Sequence, residues 1–322
     1  MCGRYALDYD SEELPAALGQ WGIHASVARD QDSTNNTTEH SPSYNVAPTQ
    51  YSAVYNPTRE NGTGKGTETA TEKDQDNDTG DIRYMKWGLL PHWSRKPGAF
   101  TGYSTFNARL EKLLGSKMWS GCLPSRRCAV PMSGYYEWLT AKDKSKTPYY
   151  LRRKDDRVMF LAGLFDYNET ENLYTFTIVT GPAPTNLAWL HDRMPCVLEA
   201  DSPEWEQWMD PGKTRWTQGD LDRVLMPRFD EQKYQVYRVS RDVGRVANNG
   251  IYLTQEVKAE VKSESLRAEG ALDSKHPVKK EGAGGHPGKK RSIIDMMKQS
   301  SAKRREAAPL KKSETSPVKK EE

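Results

Sequence analysis

Apolar positions along this chain recur mostly in short alternating runs. Tyr51, Ala53 and Tyr55 alternate with other residues. Comparable runs occupy Ile82–Trp87, Arg127–Pro131, Tyr135–Leu139, Tyr149–Arg152, Val158–Phe165, Tyr174–Thr180, Cys196–Leu198 and Gln235–Val239. Runs of this length, bounded by turn residues, predict strands. Helical spacing is scarcer. It predicts a helix over Glu12–Gly19, with Ser11 as N-cap and acidic residues in the first turn, and another over Ala108–Leu114. A third, over Pro203–Met209, has Ser202 as cap and proline at the first helical position. Many strands with few, scattered helices predict an α+β domain on a mainly antiparallel, barrel-like sheet.

Two hydrophilic stretches, 29–43 and 59–81, lack apolar periodicity and read as mobile surface inserts. From Val257 to Glu322 there is no aromatic residue, although the chain holds nine Trp, sixteen Tyr and six Phe. That segment cannot assemble a core, so an ordered domain over 2–256 and a disordered tail over 257–322 are expected. The tail carries 17 Lys+Arg against 10 Asp+Glu, or +7, which leaves −4 for residues 1–256 of the whole-chain +3. A nucleic-acid surface on the domain would therefore be a local groove rather than a global field.

The first twenty residues lack the apolar run of a signal peptide, and no stretch is long enough to span a membrane. Cys2, Cys122, Cys128 and Cys196 show no zinc-like pairing, so no metal site is expected and reduced thiols in an intracellular compartment are. Lys289-Lys290-Arg291 and Lys303-Arg304-Arg305, eleven residues apart, look like a bipartite nuclear import signal.

The most distinctive chemistry lies at the start of the chain, Met1-Cys2-Gly3-Arg4. Cysteine is small enough for Met1 to be removed ahead of it. The new terminus would pair an amine and a thiol, which ordinarily titrate near about 8 and about 8.5. An N-terminal cysteine can attack an aldehyde with its amine and close a thiazolidine with its sulfur; otherwise position 2 is simply a tolerated cysteine.

Three further segments place polar groups among loop signals. Asn107 is a helix N-cap or a site residue, and Arg109 beside it suits a phosphate. Glu137, between Tyr136 and Trp138, is awkward in a strand unless it points into a polar cleft, where it suits general acid–base work. His191, in Trp189-Leu190-His191-Asp192-Arg193, is a satisfied core histidine or a third site group. Trp87 and Trp93 around Gly88 and Pro91 are core rings or a stacking platform for bases.

Taken together these segments resemble the SOS-response-associated peptidase (SRAP) family. Met1-Cys2-Gly3-Arg4, Tyr44-Asn45-Val46-Ala47-Pro48, Trp87-Gly88, Asn107-Ala108-Arg109, Glu137-Trp138, His191-Asp192-Arg193 and Val239-Ser240-Arg241 stand in family order. The resemblance covers about 2–256 and is that of a eukaryotic, fungal-type member. It implies covalent capture of abasic sites in single-stranded DNA by Cys2 after loss of Met1. It implies that Asn107 positions the terminus or the sugar, Glu137 shuttles protons and His191 assists Schiff-base formation and reversal. Arg4 and Arg109 would grip phosphates, and Trp87 and Trp138 would wedge against bases. Asn45, Pro48 and Gly88 would line the same DNA face. Weak lyase activity and autocatalytic removal of Met1 are implied as side activities, with no cofactor. The alternatives are a thiol peptidase and a non-catalytic reader of modified DNA bases.

The protein is expected to be a nuclear monomer. Four tail segments, at Lys258, Lys262, Lys279 and Lys319, fit an aliphatic-Lys-x-Glu SUMO acceptor pattern. Lys290–Met297 loosely resembles a PCNA-binding box around Ile293, without its glutamine and paired aromatics.

Overall fold

The computed structural model describes residues 2–28, 41–57, 79–96, 98 and 102–257. Among them the strands, in chain order, are β1 (Tyr5–Leu7), β2 (His24–Val27), β3 (Ser43–Val46), β4 (Tyr51–Pro57), β5 (Thr79–Trp87), β6 (Asn107–Arg109) and β7 (Arg127–Met132). They continue as β8 (Gly134–Thr140), β9 (Lys146–Arg153), β10 (Met159–Asn168), β11 (Leu173–Pro182), β12 (Arg193–Pro195), β13 (Val197–Leu198) and β14 (Tyr234–Arg238). The helices are α1 (Glu13–Gly19), α2 (Lys117–Ser120), α3 (Pro203–Met209) and α4 (Gln218–Leu225).

Five strands close on themselves. The order β11-β10-β7-β4-β5 is antiparallel throughout, and β5 then pairs in parallel with β11 through Thr175↔Lys86 and Phe176↔Trp87. Closure removes the sheet's free edges and accounts for the barrel expected from the strand pattern. The interior is filled by Val54, Met85, Trp87, Val130, Leu161, Phe176 and Ile178, all buried, while Tyr55 and Phe160 on the other face pack against Trp205 of α3. Trp87 stacks on Phe176 with ring centres 6.2 Å apart and lies 5.0 Å from Tyr5 and 5.9 Å from Phe106.

The chain leaves the barrel abruptly. β7 ends at Met132, Ser133 donates its N–H to the Ala6 carbonyl, and β8 begins at Gly134 in a second, antiparallel sheet ordered β14-β9-β8-β1-β3. Strand alternation divides that sheet's two faces. Tyr5 and Tyr135 join the main core, whereas Ala6, Tyr136 and Tyr150 join a smaller cluster with Val239, Val243 and Leu253.

Some local expectations are corrected. α3 begins as expected, with the Ser202 hydroxyl accepting from Trp205 N–H at 3.1 Å. α1 is held by Asp10, not Ser11, because Asp10 Oδ1 accepts from both Glu12 and Glu13 N–H at 2.8 Å. No helix spans Ala108–Leu114: residues 107–109 add a parallel strand to β11, and only Leu110–Lys112 turn, as a 3-10 helix. Strands also reach into the hydrophilic stretches, since Ser43 opens β3 and Thr79–Asp81 belong to β5. Ladder pairing with β2 sustains that end of β5 without apolar periodicity. Residues 29–40 and 59–78 of the expected inserts, residue 58, and the tail from 258 lie outside the described residues.

Candidate active site at the N-terminus

The site is built where β1 enters the second sheet. Tyr5 pairs with Tyr135 and Ala6 with Gly134, and Tyr136 N–H continues the ladder to the Arg4 carbonyl at 2.9 Å. Extending that register by two residues sets Gly3 opposite Glu137. Glycine has no side chain there, and the Glu137 carboxylate acts on the Cys2 sulfur. Burial is the main cause that pushes the Cys2 thiol well above its ordinary range and the Glu137 charge adds to it, while the charge of the amino terminus and then the Arg4 N–H work against both. Cys2 and Glu137 are both buried.

Asn107 reaches the same point from the barrel. Parallel pairing of Ile178 with Asn107 fixes β6 against β11, and Asn107 Nδ2 donates to the Cys2 carbonyl at 2.7 Å. Its Oδ1 is buried and has no hydrogen-bond partner among the described residues. His191 arrives from the segment joining β11 and β12. Its Nδ1 lies 2.7 Å from Asp192 Oδ1 and 3.0 Å from the Arg193 N–H, which donates to it. Two residues earlier, Trp189 packs edge-on against Tyr149 at 5.2 Å, and Tyr149 is the ladder partner of Glu137. Cys2, Asn107 and Glu137 are thus brought together, and the segment that carries His191 reaches the same sheet through Trp189.

The expected DNA-binding residues divide differently. Arg4 is partly committed to the protein: its Nη1 donates to Asn45 Oδ1 and to the Val243 carbonyl, each at 2.7 Å, and its guanidinium lies 5.9 Å from the Trp138 ring centre. Asn45 is a buried clamp, its Nδ2 donating to the carbonyls of Asn248 at 2.7 Å and Arg245 at 3.0 Å. Its side chain therefore ties β3 to residues 243–248 and is not presented to a ligand. Trp87 is a core ring whose Nε1 donates to the Phe106 carbonyl at 2.9 Å, so no face is left for a base to stack on.

Pro48 is half-buried in the turn between β3 and β4, where Thr49 N–H donates to the Trp87 carbonyl at 2.8 Å. Gly88 has φ +117, and a Cβ there would come 2.5 Å from Gly102 Cα, so its role is close backbone packing. Arg109 is exposed and Trp138 half-buried, so both remain accessible. The sequence shows Tyr149 only as the start of a strand and Trp189 only as a neighbour of His191, and gives Tyr103 no role. Trp189 is 48% exposed and Tyr103 is 68% exposed, and aromatic residues inside loop-like segments were the signal for both. Among the described residues no group of three or more His, Cys, Asp or Glu side chains is placed to hold a metal.

The family model for SOS response associated peptidase (SRAP) matches residues 1–246. An abasic site processing protein of Saccharomyces cerevisiae is 44% identical over 265 residues, which are 78% of this chain and 66% of that one, so the chain spans slightly less than two thirds of this relative. The abasic site processing protein YoaM of Bacillus subtilis is 30% identical over 79% of this chain and 97% of its own length. The abasic site processing protein HMCES of Xenopus tropicalis is 27% identical over 87% and 88%. Among solved structures, a protein from Bacteroides thetaiotaomicron aligns with a TM-score of 0.59 at 20% identity, covering 80% of this chain and all of that one, which shows a shared fold. On the family match and the relatives together, the chain belongs to the SOS response associated peptidase family.

Proposed function

We propose that this protein captures abasic sites in single-stranded DNA as a thiazolidine crosslink through Cys2, once Met1 is removed. The observation that carries the reading is the juxtaposition of a buried Cys2 sulfur, the Glu137 carboxylate and an Asn107 side chain bonded to the Cys2 carbonyl. Relatives across bacteria and eukaryotes named as abasic site processing proteins support it.

The ring-opened abasic sugar presents an aldehyde at C1′. The Cys2 amine adds to it and water leaves, giving an imine. The sulfur then adds to the same carbon, and the thiol proton ends on the nitrogen. One water is lost in all. Because burial and the Glu137 charge keep the thiol protonated, the second step needs a base beside it, and Glu137 is the carboxylate in place to take the proton and return it to nitrogen. Asn107 holds the Cys2 carbonyl, and its Oδ1 is available to the new amine. His191 acts on the sugar oxygen, aiding imine formation and its reversal. Arg109 contacts a neighbouring phosphate, and Trp138 a flanking base. Arrest at the imine would appear as weak strand cleavage by β-elimination. Self-removal of Met1, which the family name suggests, would draw on the same Glu137 and His191. The basic tail adds nuclear residence to this reading.

The test is to mix purified protein with single-stranded DNA bearing one abasic site, then run a denaturing gel and intact-mass analysis. A heat-stable adduct lacking Met1, absent with Cys2→Ala and with undamaged DNA, is the expected outcome. Protein that has lost Met1 and still forms no adduct would refute capture and leave the base-reader or peptidase reading in its place.

A further inference from the structure

Away from Cys2 and Glu137, an ion pair joins the two segments that deliver Asn107 and His191. Arg193, the first residue of β12, extends its guanidinium back across β11. Its Nη1 lies 2.7 Å from Glu111 Oε1 and its Nη2 3.2 Å from Oε2, a two-pronged grip. The same Nη2 donates to the Thr180 carbonyl at 2.6 Å, and Thr180 is the β11 residue flanked by Arg109 of β6 on one side and Pro195 of β12 on the other. The backbone N–H of Arg193 in turn donates to His191 Nδ1 at 3.0 Å. Arg193 is largely buried on its side-chain surface, while Glu111 is about half exposed. Burial alone would raise the Glu111 carboxyl, but hydrogen bonding by Arg193 and the charges of Arg193 and Arg109 hold it below its ordinary range.

We infer that Glu111 is a positioning residue: by gripping Arg193 it sets the place and ring orientation of His191 relative to Asn107. An exposed ion pair would be weak on its own, but this one is two-pronged, anchored by a backbone carbonyl and seated on a strand. Misplacement of a reacting group by about 1 Å costs up to about 100-fold in rate, so a residue that only holds geometry can matter to chemistry it never touches. Glu111 also places a negative charge beside Arg109, the exposed candidate for phosphate contact. Loss of that charge by itself should strengthen DNA binding. Positioning and charge therefore predict opposite signatures for the same variant. The catalytic consequence rests on the capture reading, but the geometric one does not.

The experiment compares wild type, Glu111→Gln and the charge swap that combines Glu111→Arg with Arg193→Glu. Two readouts are taken: the imidazole nitrogen resonances of His191 by NMR without DNA, and single-turnover adduct formation at saturating abasic DNA. Glu111→Gln should move the His191 resonances and lower the saturating rate by about 10-fold while binding undamaged single-stranded DNA at least as tightly as wild type. The swap should return only part of the resonance shift and of the rate, because a carboxylate at position 193 cannot donate to the Thr180 carbonyl. Unchanged His191 resonances in Glu111→Gln would overturn the inference whether or not any adduct forms. An unchanged saturating rate with tighter DNA binding would overturn it in favour of a pure charge effect. Absence of adduct from wild type with shifted resonances in the variant would fault the capture reading and leave the positioning role standing.

Discussion

Cys2 joins two facts that pull in different directions. Its sulfur must attack, yet burial and a carboxylate hold the thiol in its protonated form. Removing the Glu137 charge would make that thiol easier to ionise. If ionisation alone limited ring closure, Glu137→Gln would react faster; if proton transfer limits it, the variant slows by about 100-fold or more. A time course of adduct formation on abasic DNA distinguishes these, and a faster variant would remove Glu137 from the proton path.

Asn45 makes the contrasting case of a motif residue whose work is structural. Its amide accepts from Arg4 and donates to two backbone carbonyls, so Asn45→Ala orphans buried groups on both sides. A loss of about 2–4 kcal/mol in urea unfolding is expected. Nothing in the sequence distinguished such a clamp from a ligand contact, because both use a short amide flanked by a turn. Trp87 misled for a similar reason. A tryptophan beside glycine and proline suits a stacking platform, and only barrel closure shows that it faces Phe176.

At the scale of elements, local signals were reliable where they were self-contained. The Ser202-Pro203 start of α3 could be read from the chain because the cap and the first turn are adjacent residues. Ser202→Ala should cost about 1 kcal/mol of stability without changing the chemistry, measurable by denaturation alongside adduct yield. Residues 107–112 were misread because Ala108, Leu110 and Glu111 all favour helix, whereas partners on β11, about seventy residues away, make Asn107–Arg109 a strand. That override matters for function. A helix N-cap would turn the Asn107 amide toward its own backbone, while the strand sends it to Cys2. β1 escaped detection because three residues carry too little alternation, and its identity comes from β8 and β3 on either side.

The loop from Gly88 that leads toward β6 depends on a backbone contact which the chain announces only as two glycines. Gly88→Ala would put a methyl group 2.5 Å from Gly102 Cα at φ +117. A loss of about 1–3 kcal/mol, with slower adduct formation because Asn107 is displaced, is the expected result. A variant of unchanged stability and rate would mean that this loop does not support the site.

Across the whole molecule, a closed barrel and an attached second sheet bury all four thiols. Burial together with the Asp166 charge pushes Cys122 from 9.0 up to about 12, and burial together with the Asp10 charge takes Tyr84 from 10.0 to about 12. Cys2, Cys128 and Cys196 move in the same direction, chiefly through burial. The sign follows from proton binding. Above pH 9 an unfolded chain releases thiol protons that the folded chain retains, so unfolding becomes more favourable as pH rises. The stabilisation is complete below the ordinary thiol range and is lost as pH climbs toward about 12, at up to about 1.4 kcal/mol per pH unit for each such thiol. The melting temperature should therefore be flat near about pH 8 and fall steeply by about pH 10.5. Cys128→Ala should shallow that fall by one thiol's share, even though the lost side chain lowers stability at neutral pH. A slope unchanged in Cys128→Ala would show that this thiol ionises alike in the folded and unfolded chains. The core that shelters Cys2 from ionisation would then be looser than its packing implies, and the need for Glu137 as a base would weaken with it.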